Sequence, residues 1–174
     1  MLTALVCLAV AIPSFARADV VWPALFIEPR LLSVPVVVLG LLIESAVLRF
    51  GFSMSWTRAS LLATVSNAAS AALGAVLIPA SGIAWEFFPG ILLYKIFDLG
   101  TFNPLTWTAT FVLAVVITSG IEVICLRLAF KTPWSQSRWW LWLAANAATV
   151  GLAFLSLVIQ PPSDVQLYYP WLIR

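Results

Sequence analysis

Ile43-Glu44-Ser45-Ala46-Val47-Leu48-Arg49-Phe50-Gly51-Phe52-Ser53-Met54-Ser55-Trp56 returns, 78 residues later, as Ile121-Glu122-Val123-Ile124-Cys125-Leu126-Arg127-Leu128-Ala129-Phe130-Lys131-Thr132-Pro133-Trp134. Ile, Glu, Leu, Arg, Phe and Trp recur in register. One residue of slippage later, Asn67-Ala68-Ala69-Ser70 returns as Asn146-Ala147-Ala148-Thr149, at an offset of 79. An internal repeat constrains architecture before any single residue is interpreted. In each copy an apolar run carrying a Glu ends at an Arg. A short turn closing on Trp follows, and then a second apolar run carrying an Asn. The unit is a hairpin of two membrane helices.

Composition agrees. The 174 residues are 63% hydrophobic and 9% charged, with a mean hydropathy of +1.05. A soluble domain carries about 25% charged residues, so this chain lacks the polar groups to hydrate a globular surface. Four spans are expected, at about 31–48, 59–78, 105–128 and 139–159. Each is close to the ~20 apolar residues that cross a bilayer. All must be helical, because open strands leave backbone groups unpaired in lipid. The expected fold is an all-α integral membrane protein. Its core is a four-helix transmembrane bundle of two same-orientation helical-hairpin repeats, preceded by a signal peptide.

Residues 1–18 read as that signal peptide, a short apolar run broken by Pro13 and ending in Ala16-Arg17-Ala18. Residues 19–174 form a single membrane domain. Repeat 1 covers about 31–79, closed by Pro79, and repeat 2 covers about 105–161. Between them, 80–104 is too apolar for a solvated loop and reads as an outer interfacial segment; 162–174 is an outer tail. With the leader cleaved, the two turns fall inside, holding Arg49, Arg58, Arg127, Lys131 and Arg138 and no acidic residue. The outer segments hold Asp19, Glu28, Glu86, Asp98 and Asp164 with only Arg30, Lys95 and Arg174. This bias obeys the positive-inside rule. It places the chain in a bacterial-type inner (plasma) membrane, multi-pass, with both mature termini periplasmic or extracellular. Trp56 and Trp134 join the five basic residues as cytoplasmic-face anchors.

Glu44 and Glu122 lie five residues before Arg49 and Arg127, about 7 Å along a helix. Asn67 and Asn146 lie on the returning helices, and an amide in hydrocarbon seeks a partner on another helix. The expected contacts are Glu44 with Asn67 and Glu122 with Asn146, one pair in each repeat. Such a pair sets helix register, or it couples an ion or proton, since an acidic residue inside a membrane is costly. Ser66, Ser70 and Gly74 on one helix, and Ala145, Thr149 and Ala153 on the other, are small residues at spacing four. Such stripes let helix backbones approach closely. Their expected role is packing, with a path lined by Ser66, Ser70 and Thr149 as the alternative.

The chain has no His and two Cys, Cys7 and Cys125. That removes His-ligated metals and His general bases, and no metal or cofactor is expected. No phosphate loop, zinc-protease helix or nucleophile elbow occurs, so an enzyme is not expected. Without a basic run, neither is nucleic acid. The lipid bilayer is the implied partner, with a homodimer or another membrane protein beside it. Two functions remain. One is a non-enzymatic structural or accessory subunit of a membrane assembly, favoured by elimination. The other is a small transporter or permeation protein for ions or small solutes working as a dimer. A water-accessible cavity touching both Glu would favour the second, and a dry bundle the first.

Overall fold

A computed structural model describes residues 23–99 and 103–160, apart from the side chain of Glu28. The predicted leader and outer tail lie outside these residues. The described chain is helical without strands: α1 Pro23–Leu31, α2 Val34–Gly51, α3 Trp56–Trp85, α4 Ile91–Phe97, α5 Pro104–Leu128 and α6 Gln136–Ile159. Four helical stretches are long and apolar enough to cross a membrane: Val34–Gly51, Trp56–Phe97, Pro104–Leu128 and Gln136–Ile159, with mean hydropathies of 1.9, 1.8, 2.3 and 1.9.

The helix starts follow local chemistry. The Ser55 and Ser135 side chains accept from the N–H of Arg58 and Arg138, and Asn103 accepts from Thr106 N–H with Pro104 in the first turn. Each satisfies a donor that the first turn of a helix leaves orphaned. The two turns between paired helices share one geometry. Ser53 and Lys131 both take left-handed φ, 56° and 49°. Met54 N–H then reaches back to Leu48 O, and Thr132 N–H to Leu126 O.

The expected boundary at Pro79 is not kept. Helix α3 runs through Pro79 to Trp85, passes through a wider π-turn at Glu86–Gly90, and continues as α4. Proline lacks one donor and crowds the preceding turn. Within a bundle, neighbouring helices and hydroxyls satisfy the groups it frees. The π-turn that follows absorbs Pro89. The first part of the segment expected as a separate interfacial piece is therefore a helical extension of the second span. It stops where Asp98 turns left-handed at φ 52°.

The long helices pack in the closed order α2, α3, α5, α6, each against two neighbours. Two apolar clusters fill the interior. At the end carrying the Arg-bearing turns, Leu48, Leu62, Leu126 and the fully buried Trp142 pack together with Phe52. At the other end, Val36, Ile78, Val115, Val150 and Leu157 meet Ala24 and Ile27 of α1, both 0% exposed. Helix α1 thus plugs one end of the bundle. Close helix approach depends on Gly40, where a Cβ would stand 2.8 Å from Thr149 Cγ2.

Candidate functional site

Between the two apolar clusters lies a layer of polar side chains. Four helices supply it: Glu44 from α2, Asn67 and Ser70 from α3, Glu122 from α5, and Asn146 from α6. Both carboxyls are deeply buried, each residue 1% exposed. The two contacts expected from the repeat are present. Asn67 Nδ2 donates to Glu44 Oε2 and to Ala63 O. Asn146 Nδ2 donates to Glu122 Oε2 at 2.8 Å and to Trp142 O at 3.4 Å.

A third contact crosses between the hairpins. Ser70 Oγ donates to Glu122 Oε1 at 2.8 Å, so both oxygens of Glu122 are engaged. The matching residue in the second copy, Thr149, does not do the same for Glu44. Its hydroxyl turns back to Ala145 O at 3.2 Å, a local bond that Thr makes readily in a helix. Glu44 Oε1 is left without a hydrogen-bond partner among the described residues. The two acids are therefore unequal in their contacts.

A cavity of about 260 Å³ adjoins this layer. Glu44, Asn67, Ser70, Glu122, Asn146 and Thr149 form its polar end, and Leu31, Val37, Leu41, Ala71, Ile78 and Val150 form apolar wall. Ser66, read from the sequence as a path residue, is not among its walls. It is fully buried, and its hydroxyl bonds Leu62 O and Ala63 O. With Ala145 and Ala153, also buried, it packs helix against helix; Gly74 is buried too but borders the cavity, and a Cβ there would meet only Ile78 of its own helix. Thr149 is half-buried and borders the cavity.

The predicted anchors divide. Arg49 stacks over Phe50 at 5.5 Å, and Trp56 is exposed and meets Phe50 edge-on. Arg58, Arg127 and Lys131 are exposed. Trp134 is instead half-buried, edge-on to both Phe52 and Trp142. Arg138 stacks over Phe52 at 5.1 Å and donates from Nε to Gly51 O, tying one turn to the other. These two residues join the hairpins because aromatic faces attract both ring edges and guanidinium groups.

Sequence reading missed the cavity's apolar wall, including Ala71 and Ala75. A signal was present. Where the first copy has Ala71 and Ala75, the second has Val150 and Phe154 at the offset of 79.

Among the described residues no group of three or more acidic or Cys side chains is placed to hold a metal. No protein-family model, curated protein or solved structure matches the chain.

Proposed function

We propose that this chain is a small multi-pass transporter or permeation protein for cations, with Glu44 and Glu122 as its ion-binding acids. One observation carries the reading: among the described residues the buried Glu44 is bonded through Oε2 alone, beside a cavity that both acids line. An acid inside the hydrocarbon layer is costly and marks an ion pathway by default. A group needed only for packing would be expected to find partners for both oxygens, as Glu122 does.

The finer architecture belongs to the same proposal. The bundle consists of two parallel hairpin repeats about an axis along the membrane normal. The shared turn geometry at Ser53 and Lys131 and the closed helix order support it. The Arg-bearing turns face the cytoplasm of a bacterial-type inner membrane, a leader precedes the bundle, and two copies assemble as a dimer. A second reading, the non-enzymatic accessory subunit, draws support from Glu122, whose saturated contacts suit a device that sets helix register.

Reconstitution tests the proposal. Full-length protein in vesicles should carry a monovalent cation, sodium or methylammonium, down its gradient. Glu44→Gln should lower the rate about tenfold or more, as loss of a charged ligand does. A wild-type rate equal to that of empty vesicles would remove transport and leave the accessory subunit.

A further inference from the structure

The cavity is not symmetric within the bundle, and its asymmetry locates its mouth. Its exposed wall residues are Leu32 beside α2 and Thr64, Ala68 and Ala71 on α3. All belong to the first hairpin. As built by the described residues, the opening therefore faces sideways between α2 and α3, into the bilayer. The matching seam between α5 and α6 is filled. Phe154 stands where the first copy has Ala75, and it packs edge-on against Trp107 and Phe111, with centroids 5.9 and 5.4 Å away. Val150 stands where the first copy has Ala71, and is buried.

The chemistry along the cavity is graded. Its inner end is lined by Glu44, bonded through Oε2 alone among the described residues, and by Asn67 and Asn146, whose amide nitrogens already donate and whose amide oxygens are acceptors. Its outer part is hydrocarbon: Leu31, Val37, Leu41, Ala71, Ala75 and Ile78. A bare metal ion would use only the polar end and leave the apolar walls without a partner. A hard divalent cation also demands about six oxygens. A primary ammonium has three N–H donors and no acceptor, which suits a cluster of acceptors. A hydrocarbon tail on that ammonium would bury against the walls, at about 0.8 kcal/mol per methylene.

We infer that the first hairpin forms a lateral window through which a primary alkylammonium enters from the lipid, its head on Glu44 and its chain along α2 and α3. This rests on the cation reading above and names its substrate class and entry route. The tail-bearing amine reaches the window already partitioned into the bilayer, so no aqueous channel through the four helices is required.

The experiment uses full-length protein in lipid nanodiscs, with heats measured by calorimetry and corrected against empty nanodiscs. The probes are n-hexylammonium, methylammonium (the head alone), n-hexanol (the tail alone) and sodium. Hexylammonium should bind at least about tenfold more tightly than either fragment, because head and tail contribute together. Glu44→Gln should abolish that advantage. Ala75→Phe, which installs the second copy's own residue, should weaken hexylammonium about tenfold and methylammonium by less than about threefold, since only the tail is blocked. Ala71→Val is the milder variant that carries the same test if Ala75→Phe does not fold. Glu44-dependent binding of sodium or methylammonium without a preference for hexylammonium would overturn the window and the substrate class but leave the cation reading standing. Unchanged hexylammonium binding in Ala71→Val and Ala75→Phe would overturn the window. Binding of no cation by the wild type would overturn both.

Discussion

Replacing Glu122 by Leu separates a carboxyl that organises the bundle from one that merely occupies it. Glu122 accepts from Ser70 of α3 and Asn146 of α6, both at 2.8 Å. A side-chain hydrogen bond between membrane helices contributes about 0.6 kcal/mol on average and up to about 1.7. Two of them give a loss of about 1.2 to 3.4 kcal/mol. One fallback acceptor reduces it: Ser70 Oγ also reaches Asn67 O at 3.1 Å, whereas Asn146 Nδ2 already donates to Trp142 O beside Glu122, so the hydrogen aimed at Glu122 is orphaned. The expected cost of Glu122→Leu is therefore about 1–2 kcal/mol. Glu122→Gln keeps an acceptor and nearly the same volume and should cost about 0.6. The decisive comparison is a double-mutant cycle. Because an orphaned buried donor is costlier than an apolar pair, Glu122→Leu with Asn146→Leu should be more stable than Glu122→Leu alone. The coupling should be about 0.6–1.7 kcal/mol. Equilibrium unfolding in mixed micelles, titrated with a denaturing detergent and followed by tryptophan fluorescence, measures all four variants. A cycle additive within about 0.3 kcal/mol, with Leu as well tolerated as Gln, would refute the account of this layer.

Three more perturbations test the packing around it. Gly40→Ala drives a Cβ to 2.8 Å from Thr149 Cγ2; overpacking outweighs the gain in helix propensity and should cost about 1 kcal/mol net. Adding Thr149→Ser, which deletes the clashing methyl, should restore that loss in the same unfolding assay. Ser53→Gly and Lys131→Gly each relieve a left-handed residue, at φ 56° and 49°, and should each raise stability by about 0.5–1 kcal/mol, additively. Trp142→Ala empties a site that is 0% exposed, and should cost about 3 kcal/mol or more, as large-to-small changes in a core do, read as a fall in melting temperature.

Much of this arrangement is legible along the chain. The four spans follow from lengths of apolar sequence between charged or proline-bearing breaks. The Glu–Asn contacts follow from polar residues at matching depth on paired helices, where each has few alternatives. The reading erred at Pro79, where a breaker in water became an interior residue of a longer helix, held straight through by the helices packed around it. It also treated Trp134 and Arg138 as separate anchors, although they pack across the hairpins on Phe52.

By itself the sequence determined that the described core is helical and apolar enough to cross a bilayer, and which acids and amides would have to meet inside it. These are local matters of length, polarity and spacing, and the cost of burying an unpaired polar group acts wherever the residue sits. Tertiary structure alone decided that Ser70 reaches across to the opposite hairpin while Thr149 bonds its own helix, so that one acid is saturated and the other is not. It also decided that the cavity opens beside Ala71 and Ala75 and is closed beside Val150 and Phe154. Both depend on which rotamers and volumes meet when helices from different hairpins are brought together, a property that no stretch of either hairpin contains.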